Sequence, residues 1–266
     1  MVYFLIVLFV LYLFAIRCRK GHPGMEALRG WAYAHRGLHG EGRPENSMAA
    51  FRAALEGGYG IEFDLHLLKD GNLAVIHDSL LKRTTGAEGR IEDLTVDDLK
   101  NYRLEGTEEP IPTFRELLEL YAGKAPLIVE LKPVDGNHAA LAEAACDLLS
   151  SYNGPYCLES FDPRCVQWLK ENRPALIRGQ LSEDFVETDK QMPLWLRFFL
   201  THNLLNFMTV PDFIAYRVDH RKRTPSNFLC RRLWGAQGVS WTIRTKADFD
   251  AVKKEGWLPI FEKFIP

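Results

Sequence analysis

The sequence predicts an α/β protein: a TIM-type (β/α)8 barrel with a β-hairpin extension after the second strand, preceded by an N-terminal membrane segment. Three observations lead there. Short apolar, β-rich runs alternate with helix-like stretches from residue 31 to the end, the rhythm of a parallel sheet covered by helices. Residues 31–266 contain no Pro/Gly/Ser-rich break and no low-complexity tract, so they read as one domain of the length a single barrel takes. Several of the runs end in Asp, Glu, His, Arg or Lys, the side chains a barrel gathers at the C-terminal mouth of its strands.

In chain order, residues 1–16 are apolar without interruption and are followed at once by Arg17, Cys18, Arg19 and Lys20. That is the composition of a membrane segment. At ~1.5 Å per residue, 16 residues reach ~24 Å against a hydrocarbon core of ~30 Å, so a crossing needs local thinning or snorkelling of Arg17 and Lys20. A cleaved secretory signal would carry positive charge before the apolar run and small residues at a cleavage site, and Ile16-Arg17-Cys18 offers neither. We therefore expect an anchor over 1–20, a linker over 21–30 that includes Gly21-His22-Pro23-Gly24, and a barrel domain over 31–266. Basic residues on the C-terminal side of the apolar run predict a protein held at the cell membrane with its body in the cytoplasm.

Nine runs qualify as strands: 31–34, 61–67, 73–76, 127–131, 155–160, 176–181, 207–210, 239–243 and 259–264, one too many for a closed barrel of eight. Geometry removes the extra one. Leu68-Lys69-Asp70-Gly71-Asn72 is too short for the crossover that parallel neighbours need, and Asp70-Gly71 signals a hairpin turn. With these two as the central residues, Lys69 faces Asn72, Leu67 faces Ala74, Leu65 faces Ile76, and His77 returns beside Asp64. The eight remaining strands alternate with helices over 47–56, 113–121, 139–151, 163–172 and 246–255.

Bulk composition excludes several classes. With 33 basic and 35 acidic residues the net charge is −2, so no overall field draws nucleic acid, and no nucleic-acid partner is expected. The five cysteines, Cys18, Cys146, Cys157, Cys165 and Cys230, are odd in number and lack CxxC spacing, which argues against a disulfide framework and a zinc site and fits a reducing compartment.

The strand ends carry the chemistry. His35-Arg36-Gly37 closes the first strand, Glu62-Phe63-Asp64 lies on the second, the hairpin returns His77-Asp78, and Glu130-Leu131-Lys132 ends the third. Alternation puts Glu62 with Asp64, and Glu130 with Lys132, on one face of their strands. Charged groups turned into a barrel are costly unless paired or bound to metal. Pairing with Arg36 and Lys132 accounts for any single carboxylate, but three oxygen donors without a thiolate make a hard-cation site suited to Mg²⁺ or Ca²⁺. His35 and His77 arrive from different strands and titrate near neutrality, as a general acid and a general base must. Arg36 and Lys132 add positive charge for a phosphate, and the set reads as metal-assisted attack on a phosphodiester.

The same residues fall into a longer series: His35-Arg36-Gly37, Pro44-Glu45-Asn46-Ser47, Glu62-x-Asp64, Lys69-Asp70-Gly71, His77-Asp78, Arg83-Thr84-Thr85, Gly89, Ile111-Pro112-Thr113 and Glu130-Leu131-Lys132. In this order and spacing, from Ala34 to Pro133, the chain resembles the glycerophosphodiester phosphodiesterases, and Ser160-Phe161 and Trp241-Thr242 resemble that family's later strands. The resemblance implies hydrolysis of glycerophosphodiesters to glycerol 3-phosphate and an alcohol. It implies a divalent cation held by Glu62, Asp64 and Glu130, catalytic roles for His35 and His77, and phosphate contacts from Arg36 and Lys132. The final strand departs from the pattern: where the family ends in Thr-Asp before Tyr-Pro, this chain has Phe261-Glu262-Lys263-Phe264-Ile265-Pro266.

Glu45 and Asn46 are expected to hold the loop after the first strand, with Asn46 as the N-cap of helix 47–56. Trp241 points toward the mouth, where it can pack on glycerol carbons of the substrate. His66 shares the face of Glu62 and Asp64 if its strand stays regular, and His39 is near the site in sequence. His202 and His220 are expected at the surface, and 217–232, with six Arg or Lys against one Asp, as a solvated face. The segment 192–208 bears Leu194, Trp195, Leu196, Phe198, Phe199, Leu200, Leu204 and Leu205, more apolar surface than one helix face buries, which makes it a candidate lid or membrane-contacting ridge. With the anchor it supports a second reading, head-group release from membrane lysophospholipids. The substrate partner is thus a small-molecule or lipid phosphodiester. A non-catalytic membrane-tethered binding module would show damage to the histidine or acidic set, and that set is complete.

Overall fold

Short, mostly buried runs form nine strands in a computed structural model that describes residues 1–266: β1 (Tyr33–His35), β2 (Gly60–Leu67), β3 (Leu73–Val75), β4 (Leu127–Leu131), β5 (Tyr156–Ser160), β6 (Arg178–Ser182), β7 (Phe213–Arg217), β8 (Gln237–Ile243) and β9 (Trp257–Phe261). All but β3 are parallel, and β1 pairs with both β2 and β9, so eight strands close into a barrel. Helices such as Met48–Glu56, Phe114–Tyr121, His138–Leu149, Pro163–Asn172 and Lys246–Lys254 return the chain from strand to strand. Thr113 starts one of them with a capping box, its hydroxyl accepting from Glu116 N at 3.2 Å while Glu116 accepts from Thr113 N at 2.8 Å.

Side-chain alternation divides the strands into two shells. Phe63 packs outward against Phe51 and Phe114, with ring centroids 6.0 and 5.6 Å away, whereas its neighbours Glu62 and Asp64 turn inward and are buried. A separate apolar cluster that includes Met25, Leu28, Ile128, Phe213, Val239 and Ile260 fills the interior beneath them. The charged residues therefore sit on an apolar floor.

Several expectations are revised. The sixth barrel strand is Phe213–Arg217 rather than 207–210: Asn206–Thr209 is a helical turn, ended by Val210 at φ 41° and by Pro211, which cannot continue it. β3 runs antiparallel to the end of β2, but through a three-residue loop. Leu68 N donates to Asn72 O at 2.8 Å and Gly71 adopts φ 83°, so Leu67 pairs with Leu73, His66 with Ala74 and Leu65 with Val75, one residue out of step with a two-residue Asp70-Gly71 turn. Ser47, not Asn46, caps helix Met48–Glu56, its hydroxyl accepting from Ala50 N at 3.1 Å.

The N-terminal expectation changes most. No helix is long and apolar enough to cross a membrane. The apolar helix is Val2–Ala15, 14 residues, none of them buried. After it the chain joins the barrel. Ile16 and Cys18 are in the core, and Arg19 grips Asp212 with two hydrogen bonds of 2.6 Å. The stretch 21–30, expected as a linker, contains the 3-10 helix Pro23–Leu28, which buries Met25 and Leu28 in the apolar interior cluster. His220, expected at the surface, is buried and accepts from Asp184 N at 3.1 Å, and Arg221 in the basic run is buried as well.

Candidate active site

Strand register assembles the site. His35 lies beside Glu62, Asp64 beside Glu130, and Glu130 beside Glu159, so parallel pairing turns residues far apart in sequence onto one inner wall. One carboxylate oxygen from each of Glu62, Asp64 and Glu130 lies within 4.8 Å of the other two, and all three residues are buried. Burial, then the charges of Asp64, Glu130 and Glu159, push the Glu62 carboxyl well above its usual range. Burial also raises Glu130, against the pull of Lys132. Asp64 behaves oppositely. Burial opposes its charge, but His77, Lys132, Arg36 and a 2.9 Å hydrogen bond from the Asn46 amide hold it well below the carboxylate range. Asp64 Oδ1 accepts no hydrogen bond. Crowded, buried, hard oxygen donors of this kind fit a divalent cation, and the three form a possible metal site.

The positive groups thread between these carboxylates. Lys132 Nζ donates to Glu130 Oε1 at 2.9 Å and to His77 Nε2 at 3.1 Å, and lies 3.6 Å from Asp64 Oδ1. Burial lowers its pKa, but Glu130 and Asp64 outweigh burial and keep the ammonium charged. Arg36, at φ 54°, places Nη1 2.8 Å from Glu45 Oε1 and Nε 3.5 Å from Asp64 Oδ2. Glu45 also pairs with Arg83 at 2.6 Å, so it supports the loop that carries Arg36.

Burial lowers both imidazoles below the ordinary histidine value. His77 Nδ1 donates to Asp78 Oδ1 at 2.5 Å, which leaves Nε2 to accept from Lys132. His35 Nδ1 donates to Glu262 Oε2 at 2.6 Å, and its Nε2 lies 3.8 Å from Glu62 Oε2. His66 does not join the carboxylates: it bridges Glu92 Oε1, 2.7 Å from Nδ1, and the His77 carbonyl, 3.1 Å from Nε2, and so fixes the backbone under His77. His39 lies 3.5 Å from Glu262.

An inner cavity of about 50 Å³, lined by His35, Arg36, Glu62, His77, Glu130 and Trp241 among others, adjoins an outer cleft of about 740 Å³ that shares His77, Glu130 and Phe161 with it. Trp241 stands edge-on to Phe161, centroids 5.5 Å apart, as an apolar wall. No residue of 192–208 lines either space. Leu194, Trp195, Phe198 and Phe199 are exposed away from them.

Sequence reasoning missed two acids. Glu159 ends β5 as Glu130 ends β4, lines the inner cavity and has a buried Oε2 with no partner; burial, then Glu130 and Asp64, push its carboxyl well up. The strand-end rule, applied to Glu159-Ser160 as it was to Glu130, would have found it. Glu262 stands in the sequence only as a departure in the final strand, because its partner, His35, is set by barrel closure.

Residues 35–264 match the Glycerophosphoryl diester phosphodiesterase family. The chain belongs to that family. It is accordingly an enzyme, a phosphoric diester hydrolase on a TIM-type barrel. Relatives of this family member include the glycerophosphodiester phosphodiesterase of Caldanaerobacter subterraneus subsp. tengcongensis, 29% identical over 233 residues that cover 84% of this chain and 89% of that protein. Glycerophosphodiester phosphodiesterase 1 of Rattus norvegicus is 37% identical over 251 residues, covering 80% and 72%. Among solved structures, an Oleispira antarctica phosphodiesterase in complex with the product sn-glycerol-3-phosphate has the same fold, with a TM-score of 0.71, 22% identity and coverage of 89% of this chain and 94% of that one.

Proposed function

We propose that this member of the family hydrolyses glycerophosphodiesters to glycerol 3-phosphate and an alcohol, using His35 and His77 for proton transfer and a divalent ion, Mg²⁺ or Ca²⁺, at Glu62, Asp64 and Glu130. The observation that carries this reading is the convergence of two imidazoles, three carboxylates and two cations in and around the inner cavity, which His35, His77, Arg36, Glu62 and Glu130 line, with Lys132 at the adjoining cleft and Asp64 3.6 Å from it. A cation there would draw off charge that builds on the non-bridging phosphate oxygens. Arg36 and Lys132 orient the phosphate, Lys132 by exchanging part of its hold on Glu130 and His77 for a phosphate oxygen. One imidazole takes the proton of the attacking hydroxyl, from water or the neighbouring glycerol hydroxyl, and the other, once protonated at Nε2, delivers that proton to the leaving alcohol oxygen; where the glycerol hydroxyl attacks, water then opens the cyclic phosphate with the two roles exchanged. Trp241 and Phe161 offer the glycerol carbons an apolar surface, and the outer cleft has room for the alcohol portion.

Water-soluble diesters fit this arrangement better than lysophospholipids, because the 192–208 segment that would receive an acyl chain lies outside both cavity and cleft. Purified full-length protein with added ion is expected to release glycerol 3-phosphate from glycerophosphocholine faster than it releases a head group from lysophosphatidylcholine. The double variant Trp195→Ala with Phe199→Ala is expected to leave the ratio of the two rates unchanged. No turnover of either substrate would refute the function, and a selective loss on lysophosphatidylcholine would restore the lipid reading.

The exposed helix Val2–Ala15, about 21 Å long at ~1.5 Å per residue and apolar on every face, supports attachment to lipid. It continues into an exposed aromatic patch through Phe14 and Phe207, whose rings are 6.2 Å apart. Removing residues 1–11 should release the protein from phosphatidylcholine vesicles in a sedimentation assay while glycerophosphocholine turnover is retained; equal sedimentation of both forms would rule this attachment out.

A further inference from the structure

The departure at the end of the chain, Phe261-Glu262, acquires a role once the barrel closes. β1 and β9 are paired in parallel with Ala34 beside Phe261, so the next residues, His35 on β1 and Glu262 directly after β9, are neighbours at the mouth. Glu262 Oε2 accepts the Nδ1 proton of His35 at 2.6 Å. Its other oxygen accepts from Arg244 Nε at 2.7 Å, and its backbone N–H donates to Ile243 O at 2.9 Å, so the carboxylate is fixed from the end of β8 as well as from its own strand. Burial by itself would raise the Glu262 carboxyl, but the His35 hydrogen bond, with His39 and Arg244 close by, holds it well below the carboxylate range. An ionised carboxylate can only accept, and the imidazole nitrogen facing it must therefore carry a proton. The opposite nitrogen, Nε2, is the one turned toward Glu62 and the inner cavity.

We propose that Glu262 is a positioning residue for His35: by accepting the Nδ1 proton and being clamped by Arg244, it sets both the ring orientation and the tautomer that presents an unprotonated Nε2 to the reacting phosphate. This rests on the functional reading above, in which His35 is one of the proton-transferring imidazoles. The residue acts through His35 and does not itself touch substrate. A glutamine at 262 keeps the shape but brings a donor, which can satisfy Nδ1 from the other side and move the proton to Nε2.

Long-range proton–nitrogen correlation spectra of ¹⁵N-labelled protein, with His35 assigned by its disappearance in His35→Ala, should show Nδ1 protonated and Nε2 bare. In Glu262→Gln that signature should be lost, and kcat on glycerophosphocholine should fall by about 10- to 100-fold with little change in KM or melting temperature. Glu262→Asp, which keeps an acceptor-only group, should recover part of the loss. A wild-type His35 protonated on Nε2, or a Glu262→Gln variant with wild-type kcat, would overturn the proposal. If the wild-type protein fails to turn over the diester, the functional reading falls, while the tautomer spectra still decide whether Glu262 positions His35.

Discussion

Replacing His77 with alanine is expected to lower kcat on glycerophosphocholine by about 10²-fold or more, and His35→Ala should do the same. Each imidazole is held for one task. Asp78 fixes Nδ1 of His77 and is itself paired with Arg83, while His66 secures the backbone carbonyl, so the ring presents Nε2 to the site without freedom to turn away. Removing the ring leaves Lys132 bonded to Glu130 and near Asp64, and leaves the apolar shells untouched. The loss should therefore appear in kcat and kcat/KM together, with an unchanged melting temperature, because proton transfer is needed only on the way to the transition state. Turnover close to wild type in both single variants would remove the two histidines from the mechanism.

Excess EDTA should abolish turnover, and Mg²⁺ or Ca²⁺ should restore it. The physical reason is the strain within the carboxylate trio: Glu62 and Glu130 are raised by burial and by their acidic neighbours, while Asp64 stays ionised through Lys132, Arg36, His77 and Asn46. A divalent ion relieves that repulsion and should displace protons as it binds. Glu62→Gln or Asp64→Asn removes a ligand charge and should raise the ion concentration for half-maximal activity by at least about tenfold. Calorimetric titration of the ion into each variant gives the same comparison without turnover. Undiminished activity in excess chelator would count against the site.

Much of this architecture is legible in the sequence, since it follows from local geometry. A strand alternates its side chains with a period of two, so Glu62 and Asp64 had to share one face, with Phe63 on the other, wherever the strand was placed. The brevity of the Leu68–Asn72 connection, a property of five residues, required an antiparallel return. The motif series from Ala34 to Pro133 likewise lies within one stretch of chain and pointed to the family that residues 35–264 match.

What the sequence could not carry depended on which strand lies beside which, and at what register. The run 207–210 has strand-like residues, but a short apolar run is compatible with either backbone, and the packing before Pro211 made it a helical turn. Residues 16–28 looked like anchor and linker because nothing near them in sequence demands Ile16, Cys18, Met25 and Leu28; the barrel supplies their partners. Asn46 reaches Asp64 across 18 residues and His35 reaches Glu262 across 227. Periodicity determines the face a side chain takes, a property of a few consecutive residues. Closure of β9 onto β1 determines its neighbours, and that requires the whole sheet to be in place.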